Sequence, residues 1–216
     1  VIPGKTSKGS HYHKAYYHYP QVMETQAATS INPGQILVEI NSFANPYPYE
    51  RLAIESFLTT FFRQSGNQDL IDEFDMQPFS VAVLDKRRTL TEKLVSLMRC
   101  SLANDYLTQL SAKIRHFYDL HYLFRDRAVN EYLKSEEFRS DFLELFTHDR
   151  QQFDKPEGWR TRRLEESPLL TVWDDVWKKT GPVYLKELPG LAYHEIPASD
   201  QISDSMRTIL EYIRNL

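Results

Sequence analysis

The chain has 216 residues, of which 41% are hydrophobic, 13% aromatic and 26% charged, and its formal net charge is −4. This much apolar mass supports a substantial core and excludes a disordered chain, while the acidic balance excludes a protein that coats nucleic acid through its overall charge. The one cysteine, Cys100, excludes an internal disulfide.

No apolar run reaches the ~18 residues of a membrane span, and there is no signal-peptide pattern. A cytoplasmic protein of bacterial type is expected.

In chain order, Gly4-Lys5-Thr6 looks at first like part of a phosphate loop. It lacks the earlier glycine and the flanking strand and helix that such a loop needs. His11, His13 and His18 lie in a stretch from His11 to Tyr19 with strand character. A zinc site would need further ligands at defined spacing, so aromatic packing on a sheet is the better reading. Asn32-Pro33-Gly34 makes a turn, and Gln35 to Phe43 reads as a strand. Ile36, Val38 and Ile40 alternate with Leu37, Glu39 and Asn41, which puts Glu39 opposite the aliphatic triad.

After Asn45-Pro46-Tyr47-Pro48, the spacing predicts a helix from Tyr49 to Gln64 with Leu52, Ile54, Phe57, Leu58 and Phe61 mostly buried. Asp69, Asp72 and Asp75 recur at helical spacing and read as a solvated face. Phe79 to Leu84 reads as a short strand. The basic stretch from Asp85 to Arg88 then precedes a helix, where arginine and the helix N-terminus both favour phosphate. A solvated turn is the alternative for Arg88.

Thr89 and Glu92 have the spacing of a capping box. Behind them Leu90, Leu94, Leu97 and Met98 form a helical stripe that carries Lys93 on its flank. Such a lysine either snorkels along apolar surface or stands as a fixed cation beside a cleft, aimed at phosphate. A second helix carries Ile114, Phe117, Tyr118 and His121 on one stripe, with Arg115 one turn before Asp119. An Arg115–Asp119 pair on the helix surface is the plain reading of those two.

Further on, Asn130 to Phe146 has a helix-compatible apolar spread, and Cys100 reads as a small buried residue. Arg150 to Arg163 surrounds Trp159 with basic residues, a combination able to stack and hold single-stranded RNA. Interleaved acids nearly balance that charge. Ser167-Pro168 opens a helix, Trp173, Val176 and Trp177 read as core, and Gly181-Pro182 and Pro189-Gly190 as breaks. Ser203 to Leu216 reads as a closing helix.

The pair Thr-Leu-Thr-Glu-Lys-Leu (89–94) and Arg-His-Phe-Tyr-Asp-Leu (115–120) resembles the later motifs of the AbiEii/AbiGii toxin family of nucleotidyltransferases. The likeness runs from about Ile36 to the C-terminus. It implies an α+β architecture: a partial polymerase-β-like transferase region over residues 1–88, with strands near Tyr12 to Tyr19, Gln35 to Phe43 and Phe79 to Leu84, packed on a helical domain over residues 89–216.

The resemblance further implies Lys93 and Asp119 as catalytic residues lining a nucleotide cleft, with Arg88 and Arg115 as cofactor-binding positions and Glu39 as a metal carboxylate. For Glu39 a solvated strand position is the alternative. The implied cofactor and substrate are Mg²⁺ and an NTP; the implied partners are RNA such as a tRNA end and a cognate antitoxin protein, with no membrane. The family's Gly-Ser turn and Asp-x-Asp strand have no match among the 216 residues. A C-terminal portion of a longer enzyme, inactive alone, is therefore expected, or else a non-enzymatic partner-binding relative.

Overall fold

The computed structural model describes residues 7–8, 12–20, 34–41, 47–192 and 194–216. The readings of Gly4-Lys5-Thr6, His11, the Asn32-Pro33 turn and the end of the strand at Phe43 lie outside the described residues. Contacts divide the chain into two units, residues 1–45 with 90–216, and residues 46–89.

In the first unit, β1 (Ser7–Lys8), β2 (Tyr12–His18) and β3 (Gln35–Asn41) form an antiparallel sheet in that order. The pairing of β2 with β3 runs from Tyr12↔Asn41 to His18↔Gln35. At its base Gly34 adopts a φ of 81°, open to a residue without Cβ, and its carbonyl accepts the Tyr19 N–H at 3.0 Å. Side chains alternate along β3, so Glu39 projects opposite Ile36, Val38 and Ile40 as the sequence predicts. That aliphatic triad is nevertheless exposed. Alternation marks a face that can be buried, and no second layer covers it among the described residues.

The second unit corrects the predicted helix from Tyr49. Its first part is strand β4 (Tyr49–Ile54), followed by α1 (Phe57–Gln64), α2 (Gln68–Glu73) and β5 (Phe79–Leu84). β4 pairs antiparallel with β5 from Tyr49↔Leu84 to Ile54↔Phe79, and this cross-strand ladder overrides the local helical spacing. Ser56 starts α1 by accepting the Thr59 N–H at 3.0 Å. Leu52, Ile54, Phe57, Leu58 and Phe61 are exposed, not buried. In this unit the buried side chains among the described residues are Thr59, which donates to the Met76 carbonyl at 2.9 Å, and Ile71. Asp75 lies beyond α2 with a φ of 49°, so the three aspartates do not share one helix.

The next helix, α3 (Lys86–Ser101), starts three residues earlier than the predicted Thr89 cap. Asp85 takes that role, its carboxylate accepting the Arg87 N–H at 2.7 Å and its carbonyl the Thr89 N–H at 2.9 Å. Aspartate is the stronger N-cap of the two, and the Arg87 guanidinium beside it holds its carboxyl below the usual range. Arg88 is consequently in the first helical turn and not in a loop.

Leu90, Leu94, Leu97 and Met98 are all fully buried, as their stripe predicts. Cys100 is buried too, which pushes its thiol up.

Helices α4 (Tyr106–Ala112), α5 (Ile114–Arg125), α6 (Arg127–Leu133), α7 (Glu136–Gln152), α8 (Pro168–Thr171), α9 (Trp173–Glu187) and α10 (Ser199–Arg214) complete the first unit. The predicted single helix from Asn130 to Phe146 is two, because Ser135 caps a new one by accepting the Phe138 N–H at 3.2 Å. Gly181-Pro182 is no break either; both lie inside α9. A Cβ at Gly181 would come within 3.3 Å of the Trp177 ring and 3.4 Å of Ser199 Oγ, so glycine keeps room for the indole. Trp177 Nε1 in turn donates to Ser199 at 3.1 Å.

Two aromatic chains thread the helical core. Phe138, Phe142, Phe146 and Trp159 follow one another at 5.8 to 6.1 Å between ring centroids. Phe117, Trp173, Trp177 and Tyr184 do so at 5.5 to 5.9 Å. The protein is thus α+β, with small antiparallel sheets and a predominantly helical C-terminal part.

Candidate functional site

Lys93 lies on the flank of α3, with its neighbours Leu90, Leu94 and Leu97 turned into the core. Its side chain is 22% exposed. Nζ reaches Asp119 Oδ2 on α5 at 2.7 Å. Two motif residues that are 26 positions apart therefore meet in one ion pair. The Asp119 side chain remains 39% exposed, and a pair this open contributes at most about 1 kcal/mol to stability.

His116 lies one turn before Asp119 and is half-buried. Burial, followed by the charges of Lys93, Lys113 and Arg115, pushes its ring down to about 3. The site thus sets a neutral imidazole, able to accept or donate a hydrogen bond, among three cations and one carboxylate. Sequence reasoning quoted this histidine inside the motif and gave it no role; its place three residues before Asp119 was the available signal.

Arg115 is exposed on α5, and the predicted pair with Asp119 does not form: Asp119 pairs with Lys93, and Arg115 has no ion pair among the described residues. Arg115 is therefore a further cation one helical turn from the Lys93–Asp119 pair. Arg88 belongs to the unit of residues 46–89, in the opening turn of α3.

Glu39 faces Lys14 across the β2–β3 ladder, with Nζ 3.4 Å from Oε1. A hard divalent cation needs several oxygen ligands, whereas no group of three or more His, Cys, Asp or Glu side chains converges among the described residues. The described residues therefore do not fit a Mg²⁺ centre.

The Arg150 to Arg163 region is unsuited to base stacking. Trp159 is fully buried and donates through Nε1 to the Phe153 carbonyl at 3.0 Å. Arg150 lies over the Phe146 ring and donates to the Arg162 carbonyl, while Arg160 pairs with Asp154 and Arg163 with Glu166. An aromatic flanked by basic residues is here a core residue with a salt-bridged rim.

The family described as "Nucleotidyl transferase AbiEii toxin, Type IV TA system" matches residues 1–202. The match begins well upstream of Ile36, from which the likeness was drawn in sequence, and ends four residues into α10. No curated protein and no solved structure matches the chain.

Proposed function

The chain belongs to the AbiEii family of nucleotidyl transferase toxins of type IV toxin–antitoxin systems, and we propose that its Lys93–Asp119 site receives the triphosphate of an NTP for transfer to an acceptor such as RNA. The observation that carries this reading is the 2.7 Å contact joining the two motif helices. A pair worth little for folding, held at a half-open edge beside a further cation, suits a displaceable ligand. Phosphate oxygens would take over Nζ and the Arg115 guanidinium, as charge-assisted hydrogen bonds to phosphate are among the strong ones. Lys93 would then offset the charge that develops on the transferred phosphoryl group. Asp119, released from Lys93, would orient that lysine or accept the acceptor's hydroxyl proton.

On this reading the sheets are parts of a polymerase-β-like transferase fold. The 216 residues contain no Asp-x-Asp pair, so binding of nucleotide, and not transfer, is the activity expected of this chain alone. Titration with each α-labelled NTP is expected to saturate for at least one base. Absence of saturable binding to all four would refute the proposal.

A second reading, a partner-binding module that engages a protein such as a cognate antitoxin, is favoured by the exposure of Phe57, Phe61, Phe74 and Phe79 in residues 46–89. Exposed apolar clusters mark interaction surfaces. Such a module would bind a protein and no NTP.

A further inference from the structure

The outer face of α5 continues beyond Asp119. Arg115, Tyr118, Tyr122 and Arg125 recur at spacings of three and four residues, which places them along one side of the helix, with Tyr118 half-buried against the core. Tyr118 and Tyr122 meet edge to face, with ring centroids 4.9 Å apart, and Tyr122 is 46% exposed. Arg125 is exposed and has no ion pair among the described residues.

Beside these two residues a cleft of about 460 Å³ opens between the end of α5 and the start of α10. Its walls include Tyr122, Arg125, Glu195, Pro197 and Gln201. The Gln201 Oε1 accepts the Ala198 N–H at 3.0 Å, and its amide nitrogen has no hydrogen-bond partner among the described residues. The cleft is also held in shape from behind. His121 Nδ1 lies 2.8 Å from Ser205 Oγ, tying α5 to α10, and Tyr184 donates to the Pro197 carbonyl at 2.7 Å.

A partly exposed aromatic face, a guanidinium, a carboxylate and an amide donor in one cleft match the needs of a nucleobase. The ring stacks on tyrosine, while its edge meets donors and acceptors of both kinds. A duplex would bury that edge in base pairing. Resting on the reading of Lys93–Asp119 as a nucleotide site, we propose that the Tyr122–Arg125 cleft is a subsite for an unpaired nucleobase, one to two helical turns (~5 to 9 Å) along α5 from Asp119. Its base comes either from the acceptor strand or from the NTP itself.

The test is fluorescence anisotropy with the full chain, using a short labelled single-stranded RNA, the same RNA as a duplex, and a labelled NTP. Tyr122→Ala and Arg125→Ala are set beside a surface control, Lys134→Ala, with melting curves confirming that each variant folds. The single strand is expected to bind more tightly than the duplex, and Tyr122→Ala to weaken it about tenfold. Loss of single-strand binding alone assigns the base to the acceptor; loss of NTP binding alone assigns it to the donor nucleotide. Variants that bind both probes as wild type does, or a wild type that binds neither, would overturn the subsite. RNA binding that depends on Tyr122 in a protein with no affinity for any NTP would sink the nucleotide reading of Lys93–Asp119 and leave the cleft standing.

Discussion

Residues 90–216 and residues 46–89 both carry periodic apolar side chains, the first on helices and the second on helices and two strands, and treat them in opposite ways. In the first, the stripes of α3, α5, α7, α9 and α10 close on one another until Leu94, Phe117, Phe142, Val176 and Ile209 are at most 1% exposed. In the second, α1 and the β4–β5 ladder keep Phe57, Phe61 and Phe79 in contact with solvent. The contrast separates two things that a periodic pattern merges: a face that could be buried, and a neighbouring layer that buries it.

The largest effect should come from probing that contrast directly. Phe142→Ala removes a ring between Phe138 and Phe146, and urea unfolding is expected to show a loss of about 3 to 5 kcal/mol. Phe57→Ala, at 80% exposure, should stay within about 0.5 kcal/mol. Comparable losses at the two positions would mean that Phe57 is covered in solution.

The pH dependence of the helical part should be next in size. The folded state holds His116 neutral down to about 3, against an ordinary value of 6.5. The unfolded chain therefore takes up this proton first as pH falls, and stability should decrease between 6.5 and about 3. His121, also lowered by burial and by Arg125, works in the same direction. His116→Asn is expected to flatten part of that slope in melting curves recorded across the window; an unchanged slope would show that the ring is already solvated.

A smaller effect should separate the two candidate caps of α3. Asp85→Ala is expected to cost about 1 kcal/mol and Thr89→Ala less, since Asp85 supplies the cap. The reverse order would restore the capping box predicted at Thr89.

The helical half was legible because its stripes are long and its sites local. Leu90 to Met98 fixed a core face, and that face in turn fixed Lys93 on its flank. That Lys93 and Asp119 line one cleft was inferred from family likeness, and their ion pair was not foreseen, since nothing in the spacing says that α3 and α5 are neighbours.

Short elements were less readable. Tyr49 to Ile54 fits a helix by spacing and becomes a strand because Phe79 to Leu84 is there to pair with it. Trp159 failed as a ligand platform for a related reason: a tryptophan amid charges looks alike whether it faces solvent or, as here, a core of phenylalanines. Glu39 was correctly placed opposite the aliphatic triad, but its cross-strand neighbour Lys14 became visible only with the register. The Tyr118–Tyr122–Arg125 stripe was written in the sequence, and the cleft beside it depends on α10, about 80 residues further on.

On the proposed function, the Lys93–Asp119 pair serves a ligand and not the fold. This is tested most directly by taking Lys93→Ala through two readings of one sample, urea unfolding and NTP titration. The expected result is a stability change below about 1 kcal/mol together with a loss of NTP affinity of about tenfold or more. Unchanged NTP affinity, or destabilisation by several kcal/mol with affinity lost only through unfolding, would contradict it and return Lys93 to a structural role.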